Sequence, residues 1–184
     1  YSPNAIEALT GLEVTKKNVR NRLTQPYRYV VLATHGILDS HLPYMQQPAL
    51  VLSQVTAAVS GNAGAAAAPD DPLLGFLTLT DVMGLKIPAG LVALIACSTG
   101  LGRELTGEGV MNMGRAFQYA GARHILMSLW SVNEVTTVQL TERFFARLKE
   151  GQEPLDAVRG ARADVRRDGY DHPYYWAPFI LIGQ

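Results

Sequence analysis

The only cysteine of this chain and one of its four histidines occupy matching places. Tyr29-Val30-Val31-Leu32-Ala33-Thr34 runs into His35 and Gly36, and Leu91-Val92-Ala93-Leu94-Ile95-Ala96 runs into Cys97, Ser98, Thr99 and Gly100. A lone cysteine with a histidine elsewhere in the chain is the pattern of a nucleophile and its base. The chemistry such a pair permits is covalent acyl transfer. The thiolate attacks a peptide carbonyl, and the imidazole moves the proton and then protonates the leaving amine. The oxyanion that forms needs backbone donors aimed at it. The N–H groups of Gly36 and Cys97 are the candidates, Gly36 because it has no side chain to block the approach. No third carboxylate stands out, and a thiol needs one less than a hydroxyl does, because some thiolate exists at neutral pH.

Each residue also has a plainer reading. A cysteine at the end of a strand often packs as a small hydrophobe, and a histidine there is often structural. The two together are more specific than either. Ser98-Thr99-Gly100 adds small residues and a turn, which let a substrate backbone come close. Glu108 and Glu134 each open a predicted helix, where a carboxylate stabilises the N-terminus. Glu134 also follows the Trp130 loop and so can face a crevice. The cluster His172-Pro173-Tyr174-Tyr175-Trp176 reads first as packing at a sheet edge. The histidines and Cys97 lack metal-ligand spacing, and the glycine-rich stretch 100–109 lacks the ending of a phosphate loop. Neither a metal nor a cofactor is expected.

Both apolar runs are continuous rather than alternating, which predicts parallel strands buried on both faces. In open α/β sheets, sites form beyond the carboxyl ends of the strands. Further strands are expected at 49–52, where a short edge strand fits, at 124–129 and at 179–182. Helices are expected from Thr15, from about 109 to 120, over 133–149 and over 154–167, with Thr80 capping one short turn before the cysteine strand. Leu140, Phe144 and Leu148 should face inward on one long helix, and Leu155, Val158 and Val165 on the next. The stretch from Gly36 to Pro48 reads as irregular. Residues 57–72, rich in Ala, Gly, Pro and Asp, read as a flexible loop. Strands alternating with helices imply an α/β sandwich with a mostly parallel central sheet.

The 184 residues suit one domain with a sizeable core. The formal net charge of zero is not the footprint of a nucleic-acid binder, and no apolar run is long enough to span a bilayer. A single cysteine rules out an internal disulfide framework and points to a reducing, cytoplasmic setting.

Taken in order, several motifs resemble those of the CHAT domain family, related to the caspases and separases among cysteine peptidases. They are Ala33-Thr34-His35-Gly36, Ala96-Cys97-Ser98-Thr99-Gly100, Gly107-Glu108-Gly109, Ala120-Gly121-Ala122, Ser128-Leu129-Trp130-Ser131-Val132 and His172-Pro173-Tyr174-Tyr175-Trp176-Ala177. The resemblance implies a caspase-like three-layer sandwich and a catalytic dyad of His35 and Cys97. It also implies a cysteine endopeptidase that cuts protein substrates, and a specificity pocket built partly by Ser128, Trp130, Ser131 and Glu134. Relatives carry two acidic residues after the tryptophan loop, where this chain has Asn133-Glu134. They also carry more sequence before the histidine strand, so residues 1–184 resemble the domain without its N-terminal strands. Such domains usually end longer bacterial proteins, often behind tetratricopeptide repeats or other sensing regions, and this one is expected to stay inactive until a partner or upstream region reorders its loops. The residues also leave room for a second reading, a catalytically silent scaffold or regulatory domain that binds proteins through the same crevice.

Overall fold

The computed structural model describes residues 6–37, 47–53, 73–97, 108–130 and 133–183. After a 3-10 turn at Gly11–Glu13 come helix α1 (Lys16–Leu23) and strands β1 (Tyr29–Ile37), β2 (Ala49–Val51) and β3 (Phe76–Thr78). Helix α2 (Leu79–Met83), strand β4 (Leu91–Cys97), helix α3 (Glu108–Tyr119) and strand β5 (His124–Ser128) follow. Helices α4 (Glu134–Lys149) and α5 (Pro154–Arg167), a 3-10 turn at Pro173–Tyr175 and strand β6 (Phe179–Gly183) complete the order. The strands form one sheet in the order β3-β2-β1-β4-β5-β6. β1, β4 and β5 are mutually parallel, while β2 and β6 run against them. β3 turns back again beside β2, so the sheet is mostly parallel, as the alternation of strands and helices predicts.

Side-chain alternation along the strands splits the core into two layers. Val92 and Leu94 of β4, with Ile125 and Met127 of β5, pack against α1, α2 and α3 through Val19, Leu23, Val82, Met113 and Phe117. Leu91 and Ala93 of β4 and Leu126 of β5 pack the other way, against Leu140, Phe144 and Leu148 of α4 and Ala157, Val158, Ala161 and Val165 of α5. Phe117 and Phe144 are fully buried, one on each side. Each contributes about 1.5–3 kcal/mol from burial alone. The result is a three-layer sandwich, consistent with the caspase-like architecture.

Local chemistry explains the helix boundaries. Thr15 caps α1, its side chain accepting from Asn18 N at 3.2 Å. Asn133 caps α4 by accepting from Thr136 N. Pro154 stands at the start of α5, where its missing N–H is not needed. Gly121, with φ of 114°, ends α3 in the left-handed region and turns the chain into β5.

Several expectations are corrected. The cap before β4 is Thr78, not Thr80: Thr78 and Asp81 form a reciprocal capping box at the start of α2. Thr80 instead bonds Gln47. β2 is not an edge strand but lies between β1 and β3. Gly36 and Ile37 are not irregular. They extend β1 and pair with Leu50 and Ala49. Leu155 is half exposed, while Val158 and Val165 are buried as expected. The largest departure concerns β1, which is not buried on both faces. Val30 and Leu32 pack into the α1–α3 layer, but Val31 is 48% exposed and Ala33 and His35 are also exposed. The expected loop at 57–72 lies outside the described residues.

Candidate active site

β1 and β4 pair in parallel with no offset through seven positions, from Tyr29 with Leu91 to His35 with Cys97. Paired positions in such a ladder share the same phase of the pleat. Positions 35 and 97 therefore fall on one face of the sheet, at the carboxyl ends of neighbouring strands. That face is the one covered further along by α4 and α5. His35 is exposed to solvent there. The strand continues past it, so Gly36, the candidate oxyanion donor, sits inside the β1–β2 pairing rather than in a free loop.

One contact that the sequence did not point to fixes β1 at this level. Thr34, the residue before His35, donates its hydroxyl to the carbonyl of Val51 at 2.6 Å. The side chain thus bridges to β2 just beyond the last backbone pair of the two strands, Gly36 with Leu50. The only hint in the sequence is a β-branched polar residue closing an apolar run.

The remaining predicted residues come from the next strand and the loop after it. Ser128 ends β5 and is buried at 4% exposure. β4 and β5 pair from Leu91 with His124 to Leu94 with Met127. Trp130 stands two residues beyond the end of β5, 39% exposed. Ser131 lies outside the described residues. Glu134 is the exposed first residue of α4. The start of that helix is firmly held, because Thr136 and Thr137 are buried and both donate to the carbonyl of Asn133. Ser128, Trp130 and Glu134 are thus carried to the same edge of the sheet as the His35–Cys97 pair. The aromatic cluster is structural in part. Trp176 packs against the α4–α5 layer, its indole donating to Asp171 O at 3.2 Å.

Among the described residues no group of three or more His, Cys, Asp or Glu is placed to hold a metal ion. No described helix is long and apolar enough to cross a membrane.

The family model of the CHAT domain matches residues 1–184. The chain belongs to the CHAT domain family. That family is caspase-like and related to peptidases, and the mostly parallel sheet of this CHAT domain, flanked by helices, is consistent with it. The chain is also similar to tetratricopeptide repeat protein 28 of Homo sapiens, at 35% identity over 108 residues. It is similar to tetratricopeptide repeat protein 28 of Mus musculus, at 32% over the same length. Each match covers 58% of this chain but only 4% of the relative, so the CHAT domain corresponds to a small part of those proteins. Both relatives are mammalian, so the similarity is not confined to bacterial proteins.

Proposed function

We propose that this CHAT domain is a cysteine endopeptidase with His35 and Cys97 as its dyad. The observation that carries the reading is the in-register pairing of those two residues at the carboxyl ends of adjacent parallel strands. Neighbouring strands lie about 4.8 Å apart, a spacing across which an imidazole and a thiol can exchange a proton. In the first step His35 takes the Cys97 thiol proton, the sulfur bonds to the scissile carbonyl carbon, and the carbonyl electrons move to oxygen. The N–H groups of Gly36 and Cys97 stabilise that oxyanion. The carbon–nitrogen bond then breaks, the imidazolium of His35 gives its proton to the departing amine, and a thioester remains. Water, deprotonated by His35, attacks the thioester and restores the thiol.

Trp130 and Glu134, with Ser128 at the end of β5, form the subsite for the residue before the cut, and the family resemblance adds Ser131. The chemistry needs a reduced thiol, which suits the cytoplasm. The regulator is an upstream region of the tetratricopeptide-repeat kind, suggested by the names of the two relatives.

The test is digestion of a diverse peptide library by the intact protein, read by mass spectrometry, with Cys97→Ala alongside. Cleavage that disappears in Cys97→Ala supports the proposal. Cleavage that persists overturns it. Absence of cleavage in both, with Cys97 alkylated by iodoacetamide no faster than a free thiol, favours a silent protein-binding domain.

A further inference from the structure

The two ends of the sheet are finished differently. At one end β3 has only three residues, and its last, Thr78, is tied into the capping box of α2. At the other, β6 has five residues, Phe179-Ile180-Leu181-Ile182-Gly183, none of them charged. No described strand pairs with its outer side. Leu129 N donates to Pro178 O at 2.9 Å, and the register pairs Met127 with Ile180 and Ile125 with Ile182. In an antiparallel ladder hydrogen-bonded and non-bonded pairs alternate. The N–H and C=O groups of Phe179, Leu181 and Gly183 therefore point away from β5. A long apolar edge of this kind is a template for another strand, and proteins normally blunt it with charge, a bulge or a cover.

The cover here is partial and basic. Arg159, Arg162 and Arg166 share one flank of α5 by their helical spacing, and Arg162 of that flank reaches Phe179 of β6. The three span about 10 Å, close to three residues of extended chain. Arg162 donates one guanidinium N–H to the outward carbonyl of Phe179, and its buried Nε has no partner. Burial, and then the charge of Arg159, push its pKa below the usual arginine value. Arg166 lies over the Trp176 ring at 5.2 Å. Among the described residues neither Arg162 nor Arg166 has a carboxylate within ion-pair distance, and Arg159 reaches only Asp156, at 3.7 Å and well exposed. Asp171 lines the same surface depression as Arg166 and Arg167 but pairs with neither. Elsewhere on the two helices, Arg143, Arg147 and Arg167 all have aspartate partners.

We infer that the outer edge of β6 is a docking site for an extended acidic segment of a partner protein, added as a seventh strand beneath the arginines of α5. Alternating residues of that strand project to opposite faces. Carboxylates on one face meet Arg159, Arg162 and Arg166. Apolar residues on the other meet Ile180 and Ile182, which are only partly buried. Charge complementarity selects this occupant over a second copy of the chain. Two β6 strands paired about a two-fold axis would set the basic flank of one α5 against that of the other, and like charges brought together oppose association.

The experiment measures fluorescence anisotropy of a labelled octapeptide of alternating valine and glutamate, titrated with the intact protein. The valine–lysine counterpart serves as control. Saturable binding of the glutamate probe alone, weakening with added salt, is expected. Arg162→Gln combined with Arg166→Gln should weaken it by about tenfold. Leu181→Pro should abolish it, because it removes an outward N–H while sparing the bonds to β5. Arg166→Gln alone, at an exposed position, should weaken binding with the melting temperature unchanged. Equal binding of both probes, no saturable binding by millimolar protein, or binding indifferent to Leu181→Pro in a folded protein would each overturn the inference. So would self-association of the protein that Leu181→Pro removes, which would make the occupant a second copy.

Discussion

β1 and β4 lie side by side in register and deliver the two halves of the candidate dyad, yet they are anchored differently. β4 is covered on both faces, and Leu91 through Leu94 are all 4% exposed or less. β1 is covered on one face only. On the other, Val31, Ala33 and His35 are exposed, while Tyr29 reaches that layer edge-on to Phe145 at 6.0 Å. The cysteine strand is held by the core, so its position is as stable as the whole fold. The histidine strand is held by its ladder to β4, by one apolar face and by a few polar contacts at its end. Regions with few buried contacts open at lower free-energy cost than the core. Under the proposed function, the base, His35, stands on the looser of the two strands.

A matched pair of substitutions tests this most severely. Ala93 on β4 and Ala33 on β1 belong to the same face of the sheet, but Ala93 is fully buried and Ala33 is exposed. Ala93→Asp places an unpaired carboxylate against the α4–α5 layer, a cost of several kcal/mol. The protein should then fail to give a cooperative thermal transition. Ala33→Asp should change stability by about 0.5 kcal/mol or less. Comparable destabilisation by the two would mean that β1 is covered after all.

The next largest effect separates chemistry from scaffold. On the proposed mechanism His35→Ala should lower kcat/KM for a cleaved peptide by about 10²- to 10⁴-fold, far more than it lowers the melting temperature. Thr34→Val, one residue earlier, should do the reverse. It leaves the Val51 carbonyl without the hydroxyl it accepts from and costs about 1 kcal/mol. The change in melting temperature should be about 2–4 °C for a chain of this size. If Thr34→Val also lowers kcat without altering KM, the bridge to β2 positions His35 as well as stabilising the sheet.

The contrast between the two strands marks how far the sequence could be read. Both apolar runs were recognisable as strands, and both were expected to be buried, because a run such as Tyr29–Ala33 has the same character whether or not a helix covers it. Burial depends on what the rest of the chain brings alongside, which no local pattern records. The same reason explains β2, which was read as an edge. Strand existence is local, but strand order is not. Thr78 is legible in the sequence, since a threonine three residues before an acidic residue is a capping-box signature, and Thr80 lacks an acidic residue at that spacing. At the site, the delivery of a histidine and a cysteine to one edge of the sheet follows from how their strands end, while the adjacency of those strands does not. The zero offset between them depends on pairing across 62 residues of sequence and had to be observed. Leu155 shows the limit of helical periodicity in a first turn, where the helix overhangs the core.

The smallest predicted effect tests the other side of the comparison, the polar ties that hold the open half of the sheet. Asp81 caps α2 directly after β3 and receives Lys16 of α1 at 2.7 Å and Arg20 at 3.3 Å. Partial burial pushes its pKa up, but the hydrogen bonds from Lys16 and Thr78 outweigh that and hold it below the usual 3.8. A carboxylate whose folded pKa is depressed adds stability at every pH above its unfolded value, and that stability is lost as pH falls through the folded value. Asp81→Asn should therefore cost about 1 kcal/mol at neutral pH. The gap in melting temperature between the two proteins should stay constant down to about pH 5 and close below pH 3.8. Because Asp81 joins α1 to α2 on the β3 side of the sheet, acid should loosen β2 and β3 first. Amide signals of Leu50 and Leu77 should shift with Asp81 protonation while those of Leu126 and Phe144 do not. A gap that persists unchanged to pH 2 would mean that the aspartate contributes through its shape at the cap and not through its charge, and the open half would then depend on packing as β4 does.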